Sequence, residues 1–316
     1  MSTFGKPYVL TSAFGIAGYH GRKTARINDV RLSFLDALPT RFDRAEIQEL
    51  IEEDVPPQPS NIIQVLARVS ARTPTAAFDR ATASMDLLRA LWSFLLTAGR
   101  YNLFRSGAPR PTNSILPGPL HTLHRPNGSI IKETFWFEPQ GLKAKHIYGA
   151  DKNWPQIQKK AYAFLSGLRS IKYRDDLDGA FVRYVRTLDT TDYATAFSGM
   201  WSVLEHLTNS TGEYGRLIER VLFVTSDQER TFSRLLLEHL RDVRNGFVHE
   251  GETRSRSENY LSQVKYTTEE MFRFHLRVGR LFSSLPEAAE YLDTPIDRNV
   301  LKQRIRNYRR VLRRRR

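Results

Sequence analysis

The sequence predicts a mainly α fold: a helical bundle in the C-terminal half, preceded by a mixed, mostly helical N-terminal domain that contains a β-hairpin. Two observations carry this prediction. From Trp154 onward, apolar residues recur at the three- and four-residue spacing of amphipathic helices. The same spacing runs through residues 75–97, where Leu88 and Trp92 lie on the apolar face.

Two shorter N-terminal segments also show helical spacing. Residues 44–51 form a short apolar stripe, which the prolines at 56–57 end. Residues 61–70 repeat the pattern, with apolar positions that include Ile62, Val65, Leu66 and Val69. We therefore expect helices in both segments, whereas residues 1–40 show no readable periodicity.

A β-hairpin is predicted around Asn127 and Gly128, because this dipeptide accepts positive φ and separates two runs rich in strand-forming residues. The first run carries His121 and His124. Residues three apart on a strand point to opposite faces, and no acidic cluster lies nearby in the sequence. We therefore expect surface histidines rather than metal ligands.

A change in pattern near residue 150 divides the chain. Residues 1–150 are expected to form the mixed domain, residues 151–296 the helical bundle and residues 297–316 a basic C-terminal helix or tail. The expected C-terminal helices cover residues 155–168, 178–188, 192–208, 214–224, 228–247, 257–284 and 300–312.

Composition excludes several classes of site. The 316 residues contain no cysteine, which excludes disulfides, thiolate zinc sites and a cysteine nucleophile. No apolar run approaches the roughly 20 residues that span a bilayer. The N-terminal residues lack the apolar core of a signal peptide. We expect a cytoplasmic protein with no transmembrane segment, no metal and no other cofactor.

Most of the positive charge lies in the tail. The chain has a net charge of +14, and residues 297–316 hold ten Lys or Arg against one Asp, so the preceding residues carry only +5. Val300, Ile305, Tyr308 and Leu312 recur there at helical spacing. A basic amphipathic helix can bind an RNA backbone, an acidic partner or an anionic membrane, or dock with a solvated charged end. We expect RNA contacts from Arg304, Arg306, Arg309, Arg310 and Arg313.

A five-residue spacing from arginine to histidine occurs twice, at Arg234 with His239 and at Arg244 with His249. Only the second pair has Asn245 beside its arginine, a short apolar pair before its histidine and a glycine after it. It also lies between two long predicted helices. The informative segment is LLLEHLRDVRNGFVHEG, residues 235–251.

This segment resembles the motif of the HEPN superfamily of helical-bundle ribonucleases, in which an arginine, usually followed by a polar residue, precedes a histidine. The resemblance covers about residues 175–285. The upstream segment FSGMWSVLEHL, residues 197–207, resembles the Apea-like branch in particular. The resemblance implies a HEPN-like bundle that cleaves RNA and a homodimer in which two protomers bring their motifs together.

The residue types suit RNA cleavage without a metal. RNA supplies its own nucleophile, the 2′-hydroxyl, and histidine transfers protons near neutral pH. The guanidinium of Arg244 offers a fixed fork of donors to the phosphate oxygens. Asn245 can position the phosphate or His249 by hydrogen bonds. The expected products are a 2′,3′-cyclic phosphate or 3′-phosphate and a 5′-hydroxyl.

On a regular helix, Arg244 and His249 would not lie on the same face. Five residues turn about 500° on an ideal helix, which leaves Arg244 and His249 about 140° apart. Gly246 weakens a helix, and an unwound last turn would bring the two side chains together. In the alternative interpretation both residues are structural. Arg244 then caps carbonyls or pairs with Asp242 or Glu250, and His249 satisfies a buried hydrogen bond.

Two acidic residues are candidates for a supporting role: Glu205 on a preceding helix and Glu250 beside His249. Glu205 would orient Arg244 or His249, although a surface ion pair is the ordinary role of such a residue.

Together these features favour a metal-independent endoribonuclease, and the resemblance suggests a toxin or an antiphage defence effector. The N-terminal domain would sense a trigger or select the substrate, and a regulatory partner protein or antitoxin would restrain the enzyme. Two other classes stay open: a catalytically inactive RNA-binding or dimerisation scaffold built on the same bundle, and a DNA-binding regulator.

Overall fold

We describe the fold from a computed structural model, which describes residues 5–51, 59, 61–97, 110–138, 146–249 and 257–314 but not the side chains of residues 247–249. The chain divides into two compact units. The first, the sheet unit, comprises Met1–Gly167 and Phe181–Ala196, and the second, the helical unit, comprises Leu168–Ala180 and Phe197–Arg316. The domains proposed from the sequence rest on composition and periodicity, and they stay predictions.

The prediction of a mainly α fold is wrong, because the N-terminal region contains a six-stranded antiparallel sheet rather than a mostly helical domain. The strands lie in the spatial order β3-β4-β5-β1-β6-β7. Their bounds are β1 (Lys6–Phe14), β3 (Thr24–Ile27), β4 (Val30–Leu35), β5 (Ile63–Ala71), β6 (Leu120–His124) and β7 (Ile130–Phe137). A separate parallel pair joins β2 (Ile16–Ala17) to β8 (Tyr148–Gly149).

The central strands were not predicted from the sequence because they are largely buried. β1 lies in the sheet between β5 and β6. Its last seven residues are all buried, so the strand shows no alternation of buried and exposed side chains. The helix predicted over residues 61–70 is wrong, because this segment holds most of β5. Ile63, Val65 and Leu66 are buried. A strand buried on both faces matches helical spacing as well as a helix does.

The hairpin prediction is confirmed: β6 pairs antiparallel with β7, and Gly128 adopts a φ of 101° in the turn. The prediction of surface histidines is wrong, because His121 and His124 are both buried. His121 Nδ1 lies 2.7 Å from Ser12 Oγ, and His124 Nδ1 lies 3.0 Å from the carbonyl oxygen of Gly128. Burial also lowers the pKa of His124.

The described part of the N-terminal region contains the helices α1 (Ala45–Leu50) and α2 (Pro74–Thr97). Both were predicted, and α2 packs against the sheet. Trp92 of α2 is fully buried, with its ring centroid 5.6 Å from that of Phe14 and 5.1 Å from that of Trp154. This aromatic cluster fixes the helix on the sheet.

Arg89, in the middle of α2, is fully buried and bound by two carboxylates. It donates to Asp86 Oδ1 at 2.8 Å and to both oxygens of Asp189 at 2.6 and 2.8 Å. Arg186 joins the same network through Asp86 and Glu138. Burial alone would lower the pKa of Arg89, but the charges of Asp189 and Asp86 raise it, so the guanidinium stays charged.

The described residues from Trp154 onward are mostly helical, and each of the seven predicted C-terminal helices is present. The helix predicted over 257–284 ends at Val278, and α9 was not predicted. The bounds are α3 (Trp154–Arg169), α4 (Arg174–Thr187), α5 (Tyr193–Leu207), α6 (Tyr214–Val224), α7 (Arg230–His249), α8 (Ser257–Val278), α9 (Leu285–Leu292) and α10 (Arg298–Arg314).

Buried polar groups connect the helices of the helical unit. Arg220 of α6 donates to both oxygens of Asp293, after α9, at 2.8 and 2.7 Å. Its Nη1 donates to the carbonyls of Thr208 and Asn209, beyond the end of α5, at 2.7 and 2.8 Å. One guanidinium therefore ties three helices together.

His275 of α8 is a second buried connection. Its Nε2 lies 2.9 Å from the carbonyl oxygen of Leu207, to which it donates, and its Nδ1 accepts from the Tyr173 hydroxyl at 2.9 Å. These partners assign a neutral imidazole with its proton on Nε2. Burial lowers the pKa of His275 from 6.5 to about 4.

We expect the helical unit to lose stability as the pH falls from about 6.5 to about 4. Unfolded chains protonate His275 at its ordinary pKa, whereas the folded unit resists protonation, so stability present above pH 6.5 is lost through this window. The shift corresponds to about 3 kcal/mol. Urea unfolding at several pH values measures the loss, with His275→Gln as the comparison. Equal acid sensitivity of the wild type and this variant would contradict the prediction.

Candidate functional site

The predicted catalytic residues lie at the end of α7. Leu237, Leu240 and Val243 bury one face of this helix. Arg244 and Asn245 are half-buried near its end. The last residue of α7 is His249, whose side chain lies outside the described structure, and Glu250 lies outside the described residues.

The backbone of α7 continues through Gly246 to His249, so the unwound last turn that would bring the pair together does not occur. On a continuous helix, positions 244 and 249 lie about 140° apart around the axis. Within one protomer, α7 therefore does not place Arg244 and His249 on one helical face.

The guanidinium of Arg244 packs on the aromatic ring of Tyr214. Its guanidinium carbon lies 5.3 Å from the ring centroid of Tyr214, the first residue of α6. The Tyr214 ring packs edge-on against Trp201, with centroids 6.2 Å apart, and Trp201 Nε1 donates to Glu205 Oε1 at 3.3 Å. A ring contact occupies the face of a guanidinium and leaves the N–H donors in its plane for an anion.

Glu205 is buried, with 6% of its surface exposed, so it does not form the surface ion pair expected by default. Its position four residues after Trp201 places both on one side of α5. In the described structure, Glu205 reaches Arg244 only through the Trp201–Tyr214 ring pair.

The Asp242 pairing considered for Arg244 is not what the described structure shows. Asp242 accepts instead from Arg241 Nη2 at 2.9 Å. Among the described residues, the contact shown for Arg244 is therefore with an aromatic ring, whereas a structural arginine normally pairs with a carboxylate.

The other arginine–histidine pair of this spacing is engaged in separate contacts. Arg234 donates to both oxygens of Glu219 at 2.6 and 3.0 Å. The His239 ring packs edge-on against Tyr260, with centroids 5.5 Å apart. These contacts give Arg234 and His239 structural roles, which agrees with choosing Arg244 and His249 as the candidates.

Tyr214 and Trp201 lie beside the candidate residue Arg244, and the sequence did not predict them. The contact of Trp201 with Glu205 could have been predicted, because residues four apart on a helix lie side by side. The approach of Tyr214 to Arg244 joins the start of α6 to the end of α7, and no local pattern reports such a contact.

The predicted tail helix is present as α10, and none of its described residues is buried. Asp297 caps its start by accepting from the backbone N–H groups of Asn299 and Val300 at 2.6 and 3.1 Å. Most of its apolar side chains are exposed as well, from 42% at Val300 to 66% at Leu312. The exposed arginines include the predicted RNA contacts Arg304, Arg306, Arg309, Arg310 and Arg313.

Across the described ranges, no group of three or more His, Asp or Glu side chains is arranged to hold a metal ion. In those same ranges, no helix combines the length and apolar character needed to cross a bilayer.

Comparison of the chain with protein-family models, with curated proteins and with solved structures finds no match. The resemblance of residues 235–251 to the HEPN motif therefore rests on those residues and their neighbours alone.

Proposed function

We propose that the chain is a metal-independent endoribonuclease that cleaves RNA through the 2′-hydroxyl, with Arg244, Asn245 and His249 as its catalytic residues. The observation that carries this proposal is the ring contact of Arg244 with Tyr214 near the end of α7. It presents a guanidinium without a carboxylate partner in the described structure, five residues before a histidine that can move protons.

Each residue has a proposed role. His249 takes the proton of the 2′-hydroxyl or delivers one to the leaving 5′-oxygen. Arg244 stabilises the negative charge that develops on the phosphorus centre, and Asn245 positions the phosphate. Glu205 supports Arg244 through the Trp201–Tyr214 ring pair. Glu250 is proposed as a further supporting residue.

We also propose a homodimer. Because continuous α7 separates positions 244 and 249 around its axis, a complete site is best formed by Arg244 of one protomer and His249 of the partner subunit. Light scattering at micromolar concentration should then give about 73 kDa, twice the 36.5 kDa of the chain. A fully active monomer would contradict this assembly.

The biological role that fits such an enzyme is regulated RNA cleavage in the cytoplasm, as a toxin or an antiphage defence effector. A regulatory partner protein or antitoxin would then hold it inactive.

An assay of the purified chain on RNA, with and without a chelator, tests the proposed activity. We expect cleavage at the same rate in both, because neither Arg244 nor His249 needs a metal to act. Absence of cleavage, or cleavage that the chelator stops, would refute the proposal.

The unbroken α7 favours one alternative, a catalytically inactive RNA-binding or dimerisation scaffold. If the Arg244 and His249 segments of two protomers do not meet across a dimer interface, the two side chains stay apart and no RNA is cleaved. RNA binding and dimerisation without any cleavage product would identify this scaffold.

The tail makes a separate prediction. Removing residues 298–316 should weaken RNA binding and flatten its salt dependence, because ten cations lie in that segment. If half of them contact phosphates, the slope of log affinity against log salt should change by roughly 3 units. Saturating RNA should largely restore the cleavage rate. An unchanged slope would assign α10 to a protein partner or a membrane instead.

A further inference from the structure

Three arginines form a row across one end of the sheet. Arg26 of β3 is paired with Arg31 of β4, and Arg31 is paired with Arg68 of β5. Directly paired residues on adjacent strands present their side chains on the same face, with Cβ atoms about 5 Å apart. All three residues are exposed. We name Arg26, Arg31 and Arg68 the arginine row.

Like charges that face each other across strands repel, so this row concentrates positive charge on one face of the sheet. The next position along it is Val9 of β1, which is buried and apolar. Arg68 donates to Ser33 Oγ at 3.0 Å, a neutral partner that does not offset its charge. An anion bound at Arg68 would offset that charge.

A cavity of about 560 Å³ opens at this row. Arg26 and Arg68, the two ends of the row, line it together with Arg41 and Asp29, whereas Arg31 lies outside the lining. Asp29 is the acidic residue among these lining residues, and its carboxylate already contacts Arg80. The cavity therefore has a surplus of positive charge and a size typical of small-molecule sites.

The segment of the cavity wall that contains Arg41 packs against the β6–β7 turn. Gly128 adopts a φ of 101°, and a Cβ there would collide with the carbonyl oxygen of Arg41, so the β6–β7 turn lies directly on this segment. The Arg41 guanidinium carbon lies 4.9 Å from the ring centroid of Phe42, which is buried. Pro126, from the same turn, completes the lining.

We infer that this cavity binds an oligophosphate group, carried by a free nucleotide or by the 5′-end of an RNA strand. Guanidinium groups bind phosphate oxygens through paired donors. Three guanidinium groups line this cavity, those of Arg26, Arg41 and Arg68, and three cations suit linked phosphates better than a single one does. The site lies in the sheet unit and does not depend on the proposed cleavage by the helical unit.

Titration calorimetry with inorganic triphosphate tests this site. The full chain is compared with Arg26→Gln/Arg68→Gln and with Arg72→Gln/Arg183→Gln, which removes the same charge at two exposed positions outside the cavity lining. Loss of two charge-assisted contacts should weaken binding by about 100-fold, whereas the control should stay within about threefold of the wild type.

Two further ligands identify the source of the phosphates. Binding of ATP as tight as that of triphosphate would indicate a free nucleotide. A preference of the His249→Ala chain for 5′-triphosphate over 5′-hydroxyl RNA would indicate a strand end. Triphosphate binding that is absent from the wild type, or unchanged in the arginine-row variant, would overturn the inference, and the second result would place the anion elsewhere, such as on α10.

Discussion

Replacing His249 by alanine is expected to lower the rate of RNA cleavage by about 10²- to 10⁴-fold, because the proposed proton-transfer group is lost. His239→Ala on the same helix is the matched control, since that ring packs on Tyr260 and should keep cleavage near the wild-type rate. Initial rates on labelled RNA give the comparison, and circular dichroism checks the fold. Wild-type rates in a folded His249→Ala chain would remove His249 from the mechanism.

Mixing two inactive variants tests whether the site is shared between protomers. If Arg244→Ala and His249→Ala chains exchange freely, half of the dimers are mixed and each mixed dimer has one intact site. Activity should then recover to roughly a quarter of the wild-type value. No recovery, despite exchange shown by differently tagged chains, would mean that each site lies within one protomer.

Replacing Arg89 by methionine is expected to destabilise the sheet unit by about 3–5 kcal/mol. The fully buried guanidinium is the shared partner of Asp86 and Asp189. Its removal leaves two interior carboxylates with Arg186 and Asn113 as partners. Denaturant unfolding, followed through tryptophan fluorescence, measures the loss.

The control for this prediction lies on the same helix. Arg80 forms an exposed ion pair with Asp29, with about half of each side chain in solvent. Arg80→Met should therefore cost less than about 1 kcal/mol. Equal destabilisation by Arg80→Met and Arg89→Met would show that the buried network adds no more to the free energy of unfolding than an exposed ion pair does.

Most helices of the C-terminal part were predictable because they bury one face and expose the other, whereas α10 was predictable from its apolar spacing although it buries none of its described residues. α6 was predicted with its observed bounds, Tyr214–Val224. α9 was missed because the predicted helix over 257–284 ran up to its start, although Ser284 accepts from the Glu287 N–H as an N-cap.

The sheet was not predicted because its central strands are buried on both faces. In β1 and in the first five residues of β5, the two-residue alternation of a half-buried strand is lost. The edge did carry a signal: Ile27 and Val30 flank a two-residue turn in which Asn28 has a φ of 53°. That hairpin aligns Arg26 with Arg31, and the long-range pairing with β5 adds Arg68.

The candidate site was predictable only in part. Arg244 and Asn245 were chosen from local spacing, and they lie together near the end of α7. The contact of Arg244 with Tyr214 depends on the packing of α6 against α7, which a linear pattern does not report.

The most direct test of RNA cleavage through the 2′-hydroxyl compares an RNA oligonucleotide with its fully 2′-O-methylated form, both in excess chelator. We expect the unmodified strand to be cut into products with a 2′,3′-cyclic phosphate or 3′-phosphate and a 5′-hydroxyl, and the methylated strand to stay intact. Cleavage of both strands, or of neither, would contradict the proposed mechanism.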